Sequence, residues 1–132
     1  MSLTLNKYQE QTRETAIYQT AIDTFVNELE IPNNGKAQKL KNLLGFTYVV
    51  LGMVGEAGEL ANKLKKVIRD SNGEINLSDM LQLAKENGDM TWYNARAFEH
   101  LGFTFQEGAE MNLKKLFERK LSNSLQGSGD NR

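Results

Sequence analysis

The chain has 132 residues, the length of one domain at roughly 150 residues each. Apolar residues make up 39% and charged residues 25%, close to a soluble globular average. With 16 Lys and Arg against 17 Asp and Glu, the net charge of −1 excludes a nucleic-acid binder working by bulk attraction to phosphate, and the lack of cysteine excludes disulfides, thiolate zinc sites and a cysteine nucleophile.

Proline is the strongest interior helix breaker, and the only one, Pro32, sits in the turn-rich stretch Glu30 to Gly35. Asp70-Ser71-Asn72-Gly73 is a second turn cluster, and Leu101 to Thr104 is a third break. The segments between them carry apolar residues at spacings of three and four, which is helix periodicity. The first helical segment runs from about Thr4 to Leu29, the second from about Lys36 to Arg69, the third from about Leu77 to His100 and the fourth from Thr104 to about Leu121. Thr104 and Glu107 have the spacing of a capping box, so a helix is predicted to start there. Phe46 to Leu51 is strand-like by composition, but it has no partner strand and is predicted to be buried helix. The expected fold is all-α, an antiparallel bundle of about four main helices in one domain over residues 1–121, followed by a flexible polar tail over residues 122–132.

Apolar runs are read as shorter than the roughly 20 residues of a membrane span. The opening MSLTLNKYQEQ lacks the layout of a secretion signal. The expectation is a cytoplasmic protein with no membrane and no nucleic-acid partner. A domain this size buries only about two-thirds of its unfolded surface, which leaves room for self-association.

The chemistry concentrates in two segments. Glu56 and Glu59 lie three apart, so they share one helix face, and they follow directly on the apolar stretch Phe46 to Val54. Glu86 and Asp89 repeat that spacing in the third segment, again beside apolar residues. If those helices are neighbours, four carboxylates converge. Their mutual repulsion raises pKa values or opens the bundle unless a cation is bound. Oxygen-only ligands favour Mg²⁺, with Mn²⁺ as a substitute. The plain alternative is that these acids are solvated, with Glu59 and Lys63 an ordinary i,i+4 ion pair. Lys63 and Lys66 stand two turns beyond the acids on the same face, suited either to free phosphate oxygens or to a solvated helix end. Gly45, Gly52, Gly55, Gly58 and Gly88 interrupt predicted helices, each at a cost of about 1 kcal/mol relative to Ala. Such repetition points to tight helix packing or to a functional site. The single histidine, His100, closes the third segment and reads as a C-terminal helix charge. Neither acid pair has the Glu-x-x-His form of a di-iron bundle, and no P-loop motif occurs.

The strings LGMVGEAGELANKLKKVIRD, KENGDMTWYNARAFEHLG and NLKKLFERK resemble the MazG-like nucleotide pyrophosphohydrolases of the all-α NTP pyrophosphatase superfamily. The resemblance spans roughly Leu43 to Lys120, and Glu56, Glu59, Glu86 and Asp89 fill the family's E-x-x-E, spacer, E-x-x-D signature. It implies that these four hold Mg²⁺, with one of them also activating water. It implies hydrolysis of a (d)NTP to (d)NMP and pyrophosphate, serving nucleotide-pool control or house-cleaning. It places Lys63, Tyr93, Asn112, Lys115 and Arg119 at positions that meet the nucleotide, and Lys66 joins them as the second lysine of the stripe. It further implies a homo-oligomer, either a homodimer or a homotetramer built as a dimer of dimers. Where members commonly carry E-E-L-G-D, this chain has Lys85-Glu86-Asn87-Gly88-Asp89, with the ligand positions kept and their neighbours changed. The alternative is a catalytically weak nucleotide- or metal-binding regulator.

Overall fold

The computed structural model describes residues 2–32, 35–122 and 124. Among them every regular element is helical: α1 (Leu5–Thr12), α2 (Tyr18–Glu28), α3 (Lys36–Asp70), α4 (Leu77–His100) and α5 (Phe105–Leu121). The expected helical bundle is present, with five α-helices where about four were predicted. The expected tail falls, apart from Ser122 and Ser124, outside the described residues.

The difference lies in the first segment. A 3₁₀ turn at Arg13–Thr15 and a non-helical Ala16 divide it into α1 and α2. Side-chain hydroxyls there compete for backbone carbonyls, Thr12 bonding to Gln9 and Thr15 to Thr12. The break is also tied down, because Trp92 Nε1 donates to Thr15 Oγ1 at 2.7 Å. The predicted capping box is present: Glu107 N donates to Thr104 Oγ1 at 3.1 Å and Thr104 N to Glu107 Oε2 at 2.8 Å.

α3 and α4 form a long antiparallel hairpin. At 1.5 Å per residue they extend about 52 Å and about 36 Å. Their shared seam follows a period of alternating threes and fours on both helices. On α3 it comprises Phe46, Val49, Met53, Glu56, Leu60, Lys63 and Val67, all buried or half-buried. On α4 it comprises Asp79, Leu83, Glu86, Met90, Tyr93, Ala97 and His100. Its register is fixed where rings seat on glycines: His100 lies over Gly45, and Tyr93 over Gly52.

The inner half of the hairpin is covered by α1 and α2, and α5 packs on α1 and α4. The core is small, with Ala16, Tyr18, Val49 and Ala97 buried together and Trp92 and Tyr93 packed against them. Beside it sits a wholly buried Arg96, held by Glu99 at 2.7 Å, while its Nε and Nη2 find no protein partner. The outer half of the hairpin is a bare arm. Between Leu77 and Asp89 only the seam residues Asp79, Leu83 and Glu86 escape full exposure.

α3 also carries a second apolar stripe of the same period: Leu43, Val50, Val54, Leu64 and Ile68 are all exposed. That stripe makes α3 more apolar than expected. The helix is long and apolar enough to cross a membrane by length and composition, against the expectation from sequence. Phe46 to Leu51 is helical as expected, but the expectation of burial holds for Val49 and not for Tyr48, Val50 and Leu51, which are exposed.

Candidate functional site

The acids lie in the hairpin seam. Glu56 of α3 and Glu86 of α4 stand at positions where a helix pair normally places apolar side chains. Asp89, one turn after Glu86, comes in from the rim. A carboxylate oxygen from each of Glu56, Glu86 and Asp89 lies within 4.8 Å of the other two. Glu86 is buried, Glu56 half-buried and Asp89 exposed, so the cluster opens to solvent on one side. Glu59, the fourth predicted ligand, is exposed one turn along α3 and stands outside this trio.

Its electrostatics are those of crowded like charges. Partial burial pushes the Glu56 carboxyl above the usual carboxylate range, and the charges of Asp89, Glu59 and Glu86 push it further. Glu59 thus acts on the cluster through its field. In place of the Glu59–Lys63 pair of the plain alternative, Lys63 pairs across the seam, its Nζ 3.0 Å from Glu86 Oε1. Lys63 and Lys66 then line a polar cavity at the outer end of the hairpin, together with Ser71, Asp79 and Gln82.

Tyr93 faces the same seam. Burial raises its phenol pKa first, and nearby Tyr48, Glu56 and Asp89 raise it further. Gly52 is what admits the ring, while Gly55, Gly58 and Gly88 have no atom within 4 Å of where a side chain would begin. The glycines therefore divide into two groups: Gly45 and Gly52 serve packing, and those flanking the acids leave bare helix surface. His100 is not the solvated helix-end charge expected from sequence. Its ring is half-buried, Nε2 lies 2.7 Å from the Tyr18 hydroxyl, and burial followed by Arg96 lowers its pKa.

Asn112, Lys115 and Arg119 lie on α5, away from the seam. Asn112 borders a cavity with Asn94, Phe98 and Phe105, on a different face of α4 from Tyr93. Lys115 is half-buried and Arg119 buried. Within one chain the carboxylates, Lys63 and Tyr93 come together, and the α5 residues do not join them.

Two residues at the site escaped the sequence reading. Tyr8 of α1 has its phenol pKa raised by burial and then by the charge of Asp89. Tyr48 stacks on Tyr18 with ring centroids 4.5 Å apart. The sequence signal for Tyr48 was its place one turn before Gly52 on the helix that carries Glu56.

Against known proteins, the chain is 38% identical over 125 residues to the Gene 37 protein of Mycobacterium phage L5, covering 95% of this chain and 96% of that one. The chain belongs to the family of that phage protein. No family model matches it, and no solved structure matches it. The match runs nearly end to end, so its aligned region spans the α3–α4 hairpin.

Proposed function

We propose that the protein is a MazG-like, Mg²⁺-dependent nucleoside triphosphate pyrophosphohydrolase that cleaves (d)NTP to (d)NMP and pyrophosphate. The observation that carries this reading is the Glu56, Glu86 and Asp89 trio, whose oxygens lie within 4.8 Å of one another in a helix seam. Acids at seam positions cost stability unless a cation balances them. An all-carboxylate donor set fits a hard divalent ion, Mg²⁺ or Mn²⁺. Such an ion, when bound, neutralises phosphate charge and makes water a better nucleophile toward the α-phosphorus.

The chain's own groups take the remaining roles. Glu56, Glu86 and Asp89 hold the cation. Glu59, exposed one turn away, accepts the proton of the attacking water. Lys63, 3.0 Å from Glu86 in the free protein, turns to phosphate oxygens, and Lys66 beside it takes the leaving pyrophosphate. Tyr93, whose phenol lies within the field of Glu56 and Asp89, borders the cation site on the inner side of the seam. Nucleotide-pool control or house-cleaning is the role that goes with this chemistry.

Self-association is part of the same reading. The outer arm exposes Leu64, Ile68, Leu77, Met80 and Leu81. Pairing two arms into a four-helix bundle covers these side chains in a homodimer, and two such dimers make a homotetramer.

The test is incubation with each common NTP and dNTP, with and without Mg²⁺, products being separated by ion exchange and a Glu86→Gln variant run alongside. Monophosphate and pyrophosphate are expected, absent without metal and in the variant. Diphosphate and phosphate as products would overturn the reaction assigned. Nucleotide binding without turnover would favour the regulator alternative.

A further inference from the structure

We propose that the groove between α2 and α3 seats the base of the nucleotide, with the ligand lying along one face of α3 from Tyr48 to Lys66. This rests on the nucleotide reading above and adds where and how the base is held.

The groove encloses about 600 Å³ and is walled by Ile17, Tyr18, Phe25, Leu44, Tyr48 and Leu51. Tyr18 belongs to the core and forms the floor, while Ile17 at 80% and Leu51 at 67% exposure form an open apolar rim above it. Tyr18 and Tyr48 stack with 10° between their planes and offer a flat aromatic edge. α2 begins at Tyr18, level with Tyr48, so beyond Leu51 it no longer covers α3. There the same face carries Gly55 and Gly58, with open space where side chains would begin.

Leu44, Tyr48, Leu51, Gly55, Glu59 and Lys66 recur at helical spacing along this face. At 1.5 Å per residue, Leu51 to Glu59 spans about 12 Å and Glu59 to Lys66 about 10 Å. The order is aromatic and apolar, then bare backbone, then Glu59 beside the cation-holding trio, then basic. A nucleoside triphosphate with its cation has the same order: base, sugar, cation-bearing first phosphate, distal phosphates. The Tyr18 hydroxyl is committed to His100 at 2.7 Å. The Tyr48 hydroxyl is engaged with Tyr93, which leaves Thr47 as the principal hydrogen-bonding side chain of the groove. The base is therefore held by stacking and apolar contact, and discrimination among common bases stays within about tenfold.

The test separates the groove from the chemistry. Saturation-transfer NMR on the full chain uses adenosine and thymidine, which lack phosphate, and steady-state kinetics use the matching triphosphates. Transfer to the base protons is expected, lost in Leu51→Asp and weakened in Phe25→Ser, together with a rise in KM of at least fivefold. Leu121→Ser, at the far end of α5, keeps both. Leu51 and Phe25 are exposed, so neither change removes core packing. Nucleoside transfer without hydrolysis by the parent protein would keep the groove and overturn the pyrophosphohydrolase reading. Hydrolysis with no base transfer and an unchanged KM in Leu51→Asp would overturn the groove. A fall in mass by light scattering in Leu51→Asp, with nucleoside transfer intact, would assign this wall to a contact between copies and overturn it too.

Discussion

The ring of Tyr93 fills the space that a side chain on Gly52 would need. This one contact sets the register of the α3–α4 hairpin and holds Tyr93 one turn from Glu56. Adding a methyl group at residue 52 brings a gain of about 1 kcal/mol in helix propensity and an overpacking cost of about 1–3 kcal/mol. Gly52→Ala is expected to lower stability by up to about 2 kcal/mol. At Gly88 nothing stands within 4 Å, so Gly88→Ala is expected to raise stability by about 0.5–1 kcal/mol. Urea denaturation of both variants checks the pair, and equal shifts of one sign would contradict this packing.

Lys63 balances a buried acid. Glu86 is 8% exposed, and its ion pair runs across the seam to Lys63. Lys63→Ala leaves Glu86 desolvated without that partner. Because Lys63 itself is about a third exposed, the loss is set at about 1–2 kcal/mol, below that of a fully buried pair. A cation bound by the trio replaces the missing charge. Millimolar Mg²⁺ is therefore expected to raise the melting temperature of Lys63→Ala by more than that of the parent protein. Differential scanning fluorimetry with EDTA or Mg²⁺ reads this, and a Mg²⁺ shift of zero in both proteins would argue against a cation site.

Much of the hairpin was legible because its residues obey local rules. Pro32, the Asp70 to Gly73 cluster and the Thr104 capping box lie where the helices end. The two acid pairs were visible as pairs, and their neighbouring helices follow from the short connection between Asp70 and Leu77. The division between α1 and α2 was not legible, because it depends on Thr15 meeting Trp92 from 77 residues away. Glu59 looked equivalent to Glu56, yet only the seam phase of α3 separates them, and that phase is fixed by rings seated on Gly45 and Gly52. Likewise His100 looked like a helix-end charge until Tyr18 and α3 packed around it.

His100 makes stability depend on pH. Burial and the adjacent Arg96 hold its folded pKa below the ordinary 6.5, while Glu99 opposes them weakly. With the folded pKa depressed, its contribution is present above the unfolded value and lost as pH falls through the folded one. The parent protein is thus expected to lose stability relative to His100→Gln as pH drops from about 7.5 to 5. Glutamine keeps a polar group opposite the Tyr18 hydroxyl and removes the titration. Parallel melting curves across that range show the effect as a difference between the two proteins, which cancels the carboxylates they share. A constant difference would mean that His100 titrates normally.

The second stripe of α3 gives the last prediction. Val54 is 66% exposed and lies on it between Val50 and Leu64. A self-complementary apolar stripe pairs with its copy about a two-fold axis, and a charge near its middle then faces its own image. For the proposed homo-oligomer, Val54→Glu is expected to shift the mass toward monomer in light scattering, since two desolvated carboxylates across the axis cost several kcal/mol. In the single chain the same side chain faces water, so helicity by circular dichroism is expected to persist at high dilution. The arm of Leu64, Ile68, Leu77 and Met80 is left uncovered in that monomer. Its melting temperature should therefore be lower than that of the parent protein and, unlike the parent's, independent of concentration. An unchanged mass for Val54→Glu would place the contact between copies on another face.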